Sequence, residues 1–178
     1  MDRNRRLLLK SAILAPLAAL PVPQQSRAAV RGARKLSFYH THTGEKLSVV
    51  YHDGSRYLAE PLSDIDHCLR DFRTGDITTI DPLLLDQLYA LRQITGGRGV
   101  YEVISAYRSP HTNDMLRSKS SGVAKKSLHM QGRAVDVRLT GVDCGKLRKA
   151  AVALQSGGVG FYRKSDFVHL DTGDFRTW

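Results

Sequence analysis

Apolar positions along this chain change rhythm several times, and each change marks an element. Leu36 to Thr43 and Lys46 to His52 alternate apolar with polar residues across Gly44, which predicts a β-hairpin. From Pro61 to Arg73 the spacing becomes helical, with Leu62, Ile65, Leu69 and Phe72 on one face and Gly75 as the stop. Asp81-Pro82 then offers an N-cap followed by proline at the first helical position, and Leu84, Leu88 and Leu91 carry one stripe to Gly96-Gly97. Tyr101 to Ala106 reads as a strand, Ser109-Pro110 as a turn, His111 to Ser118 as a short helix and Lys119 to Lys126 as a polar loop. Ala134 to Leu139 is strand-like, and Cys144 to Leu154 is helical through Leu147, Ala150, Ala151 and Leu154. Gly160 to Tyr162 and Phe167 to Leu170 close the chain as strands. This order predicts a single α+β domain with a central, largely antiparallel sheet flanked by helices.

The N-terminal residues follow a different logic. Asn4 to Lys10 has the paired arginines of a twin-arginine export signal, followed by an apolar run from Ile13 to Val22 and the small-residue stretch Ser26 to Ala29. We expect cleavage after Ala28, leaving residues 29–178 as the domain. The apolar run is interrupted by prolines and falls short of the roughly 20 residues a membrane span requires, so no stable insertion is expected after cleavage. About 150 residues remain, enough for one sizeable core.

Removing residues 1–28 takes away five bases and one acid, so the formal charge falls from +10 to +6. A basic surface suits polyanions in general, including those of a cell wall. Export and the absence of aromatic residues interleaved with the bases argue against nucleic acid as the partner. Cys68 and Cys144 are the only cysteines and are far apart. They lack the paired spacing of a structural zinc site and read as buried small apolar residues.

The candidate chemistry lies in two fragments, Ser127 to Asp136 and Asp166 to His169. Together they supply His129, Asp136 and His169, two imidazoles and a carboxylate, which is a ligand set that leaves a catalytic zinc one open position. Asp136 lies between Val135 and Val137, and His169 between Val168 and Leu170, so strand alternation sends both away from the core. If the two strands pair, acid and imidazole meet; a turn at Gly132 would bring His129 over the same face. A lone strand His or Asp is more often a hydrogen-bonded structural residue, and it is the combination that points to a metal. His40-x-His42 lacks a nearby acid and reads as an exposed strand face.

The pattern Ser127-x-His129-x-x-Gly132-x-Ala134-x-Asp136, followed by Asp166-x-x-His169, resembles a family of zinc metallopeptidases. That family includes the D-alanyl-D-alanine dipeptidases of vancomycin resistance and the zinc D-alanyl-D-alanine carboxypeptidases. The likeness is greatest to its exported murein endopeptidase branch, through Gly157 to Tyr162 and Phe167 to Gly173, and it runs over residues 36–178. The resemblance implies one zinc per chain held by His129, Asp136 and His169. It implies Asp166 as general base, where the dipeptidases have Glu, with Asp171 as the competitor. Arg108 falls where relatives stabilise the developing oxyanion, and His111 and Ser127 are candidate lining residues. The expected substrate is the peptide cross-link of peptidoglycan in the periplasm. A D,D-carboxypeptidase or dipeptidase acting on stem peptides is the second reading, and a non-catalytic zinc-bearing wall-binding module is the third.

Overall fold

Strand alternation sorts the sheet into two chemically distinct faces, and that division positions the site. The computed structural model describes residues 32–120 and 122–178; the expected export signal, residues 1–28, lies outside them. The described elements run β1 (Arg34–His40), β2 (Lys46–His52), α1 (Ala59–Cys68), α2 (Pro82–Thr95), β3 (Tyr101–Ser105), α3 (Pro110–Lys119), a 3-10 turn (Leu128–Gln131), β4 (Ala134–Leu139), α4 (Cys144–Leu154), β5 (Gly158–Tyr162), β6 (Phe167–Asp171) and β7 (Arg176–Thr177). They build one seven-stranded sheet in the order β2-β1-β3-β4-β6-β5-β7. Four of its pairings are antiparallel, while β1 with β3 and β5 with β7 are parallel.

One sheet face is apolar. Leu36 and Phe38 of β1, Val103 of β3, Val135 and Val137 of β4, and Val168 and Leu170 of β6 join Ile65 of α1, Leu84, Leu88 and Leu91 of α2, and Leu147 and Ala151 of α4 in a single buried cluster. The local chemistry of α2 matches expectation: the Asp81 carboxylate accepts from Leu83 N–H, Pro82 starts the helix, and Gly96 ends it at φ 66°.

Three elements differ from expectation. Helix α1 stops at Cys68, five residues before Arg73. Beyond it the buried Asp71 carboxylate takes the N–H groups of Arg73 at 3.0 Å and Ser109 at 2.9 Å, and these side-chain bonds hold a turn that competes with further helix. His40 is 1% exposed, not on an open face, because the alternation that buries Leu36 and Phe38 buries it too. The two-residue strand β7 was not anticipated, since nothing local marks so short a segment.

Both cysteines are free and buried. No helix among the described residues is long and apolar enough to cross a membrane.

Leu88 and Leu83 are five residues apart on α2, but Leu88 is fully buried and Leu83 is exposed. Urea unfolding is expected to show a loss of about 2–5 kcal/mol for Leu88→Ala and a change within about 0.5 kcal/mol for Leu83→Ala.

Candidate metal centre

Strands β4 and β6 pair in the register that sets Asp136 opposite His169. Their neighbours Val135, Val137, Val168 and Leu170 enter the core, so acid and imidazole emerge together on the other face. His129 arrives from the 3-10 turn, which Ser127 caps by accepting from His129 N–H and which ends at Gly132 with φ 66°. A Cβ at position 132 would collide with the Thr79 carbonyl, and Gly132 C=O accepts from Asp81 N–H at 2.9 Å. The turn that carries His129 is thus fastened to the start of α2.

Three ligand atoms converge. His169 Nδ1 lies 2.8 Å from Asp136 Oδ1, His129 Nε2 lies 3.2 Å from His169 Nδ1, and His129 Nε2 lies 3.4 Å from Asp136 Oδ1. Atoms about 2.0–2.1 Å from a tetrahedral zinc would stand about 3.3 Å apart, close to these three edges. The tautomers favour the same reading. His129 Nδ1 is 2.6 Å from the Ala106 carbonyl, which can only accept, so this nitrogen is the donor, and in the neutral ring the lone pair is on Nε2. His169 Nε2 meets the Asp171 carboxylate at 3.0 Å, which leaves Nδ1 to face Asp136. Two imidazole lone pairs and a carboxylate oxygen directed at one point require a positive charge there. Without a metal, a proton on His169 supplies it. Burial opposes that proton, but hydrogen bonds to Asp136 and Asp171 outweigh burial and lift the pKa to about 8. The Asp136 carboxyl is also buried, and the two histidines hold it below the usual carboxylate range.

A cleft of about 480 Å³ opens over the three residues, lined also by Arg108, Lys126, Ser127, Tyr162, Phe167 and Trp178. Arg108 is held by its backbone, which donates to His129 C=O at 3.2 Å. Among the described residues its Nε is buried without a hydrogen-bond partner, and its side-chain contact of that kind is Nη1 to Asn113 Oδ1 at 3.5 Å. Burial lowers its basicity while the charge of Asp136 opposes that change. The result is a cation with donors to spare at the cleft wall.

The two candidate acids sit in opposite environments. Asp171 is fully buried, on the same face of β6 as His169. Besides His169, it accepts from Gly158 N–H at 2.9 Å, Gly173 N–H at 2.9 Å and the Arg176 guanidinium at 2.6 Å. Burial alone would raise its pKa, yet these donors keep it well below the usual range. Asp166 stands in the turn before β6 with φ 51°. Its side chain is 70% exposed, its carboxylate lies 3.7 Å from Arg138 Nε, and it is outside the cleft lining. His111 is also outside that lining, whereas Ser127 is within it. Lys126, Tyr162, Trp178 and Arg176 went unremarked as site residues in the sequence. Alternation from Gly160 to Tyr162 could have shown Tyr162, but the others depend on contacts made by the fold.

The family model described as peptidoglycan L,D-endopeptidase MepK matches residues 28–178. The chain belongs to this peptidase family. It is 43% identical over 178 residues to the peptidoglycan L,D-endopeptidase MepK of Escherichia coli, covering 99% of this chain and 98% of that one. A relative of the same description and the same identity occurs in Shigella flexneri. The probable peptidoglycan L,D-endopeptidase MepK of Haemophilus influenzae is 37% identical over 180 residues, covering 100% of this chain and 97% of that one. Metal dependence is typical of these peptidases, and the His129, Asp136 and His169 ligand atoms lie within 4.8 Å of one another.

Asp171→Asn should weaken metal binding by about 10–100-fold, the usual effect of losing a carboxylate that orients a histidine ligand, while His169→Ala should abolish binding at this site. Competition against a chromophoric chelator, with circular dichroism as the check on folding, measures both.

Proposed function

We propose that this chain is an exported zinc peptidase that hydrolyses L,D peptide cross-links of peptidoglycan in the periplasm. The observation that carries the reading is the convergence of His129 Nε2, His169 Nδ1 and Asp136 Oδ1 at zinc-like spacing beneath an open cleft. Membership of the family and the names of its relatives supply the substrate class. The twin-arginine pattern of residues 1–28 supports export.

In this reading His129, Asp136 and His169 hold the metal. Zinc, when bound, supplies Lewis-acid polarisation of the peptide carbonyl and acidifies a water molecule. Arg108 directs its free donors at the oxygen of the scissile carbonyl, where they bind the developing oxyanion more strongly than the planar amide. Asp171 holds His169 in the tautomer whose Nδ1 faces the centre. Its oxygens are fully engaged by donors, which leaves it poorly suited to accept a further proton. Asp166 is the proposed base: its carboxylate is solvent-accessible and, among the described residues, is engaged by a long ion pair with Arg138. It takes a proton from the attacking water and returns it to the leaving amine.

Incubation of the zinc-loaded protein with cross-linked and uncross-linked muropeptides tests the function. Release of monomers from L,D-linked dimers is expected. Loss of terminal residues alone would favour the carboxypeptidase reading, and zinc binding without turnover would reject both enzyme readings. Asp166→Asn should retain zinc and lower kcat by about 10²–10⁴-fold, and Arg108→Ala should lower it by about 10²–10³-fold. An active Asp166→Asn enzyme would remove Asp166 from the mechanism.

A further inference from the structure

The chain ends on Trp178, which lies in the wall of the cleft. Its ring centroid is 5.2 Å from that of His169. The indole is fixed from several directions. Its Nε1–H donates to the Tyr162 hydroxyl at 3.2 Å, its backbone N–H donates to Val159 C=O at 3.2 Å, and its C=O accepts from Phe161 N–H at 3.1 Å. The Arg176 guanidinium carbon lies 5.1 Å from the ring centroid. Beneath it is Gly160, where an added Cβ would come within 2.7 Å of the indole. The strand therefore reserves the space of a side chain for this ring.

A tryptophan held so firmly would ordinarily be buried, yet Trp178 remains 48% exposed. Beside it Tyr162 is 39% exposed and stacks on Phe167 with centroids 4.6 Å apart. A preordered aromatic surface in the wall of the cleft offers apolar contact at little cost in side-chain ordering. Core packing does not account for it.

Resting on the function proposed above, we propose that Trp178, supported by Tyr162, is a substrate-positioning residue whose exposed indole surface takes an aliphatic part of the peptide next to the scissile bond. Lys126, a second cation in the lining of the same cleft, suits a carboxylate of such a peptide. Arg176 is committed to Asp171 and serves the scaffold.

Trp178 is the only tryptophan in the chain, so its emission reports this surface directly. The zinc-loaded wild type would be titrated with an uncross-linked stem peptide, and the kinetics of Trp178→Ala and Trp178→Phe would be measured on cross-linked dimers. We expect a saturable change in emission. Trp178→Ala should raise KM about tenfold with kcat within about threefold, and Trp178→Phe should recover part of the loss. Zinc stoichiometry should be unchanged in both variants. Unaltered emission together with unaltered KM overturns the proposal, as does a variant whose defect is lost zinc or a fall in kcat alone. If the wild type turns over no muropeptide, the functional reading fails, and the emission titration still decides this one: no saturable change overturns it.

Discussion

The pairing of β4 with β6, one residue against one, is the constraint on which the rest of the site depends. A slip of a single position would send Asp136 or His169 into the apolar cluster and Val137 or Val168 into the cleft, because side chains alternate faces along a strand. The hydrophobic face prevents that slip. Val135, Val137, Val168 and Leu170 are all fully buried, and exposing any of them costs more than a surface contact could return. The helical layer formed by α1, α2 and α4 thus acts on the chemistry at a distance: by holding the valines and leucine, it holds the acid and the imidazole.

The polar face has its own packing logic. Gly158 and Gly160 alternate with the core-facing Val159, and both lie where a Cβ would strike the Asp171–Arg176 pair or the indole of Trp178. Strand β5 gives up side chains so that a second layer can lie directly on it. That layer runs from Arg176 through Asp171 to His169, a chain of charge-assisted contacts of 2.6 and 3.0 Å. On the other side Ala106 C=O sets the tautomer of His129, and Arg108, two residues on, donates its backbone N–H to His129 C=O. His129 is oriented from outside β4 and β6, and Asp171, which orients His169 from within β6, is itself held by Gly158, Gly173 and Arg176, so the site draws on several elements.

What could be read from the sequence was what local chemistry encodes. Asp81, Pro82 and Gly96 bound α2 because a cap needs only its neighbours, and the alternation around Asp136 and His169 foretold a shared face. The end of α1 was not legible, since the competing partner of Asp71 is Ser109, 38 residues away. Neither was the contrast between Asp166 and Asp171. Spacing favours Asp166, but the environment of each acid is created by residues 138, 158, 173 and 176, which only the folded sheet assembles. His40 shows the limit of a motif considered without burial: two histidines two apart look like a metal pair, yet one is in the core.

Diffraction from zinc-soaked crystals at the zinc absorption edge tests most directly whether His129, Asp136 and His169 surround a divalent ion. One strong anomalous peak is expected about 2.0–2.2 Å from His129 Nε2, His169 Nδ1 and an Asp136 carboxylate oxygen. Saturating zinc with no peak there, or a peak ligated by another set of side chains, would contradict this arrangement.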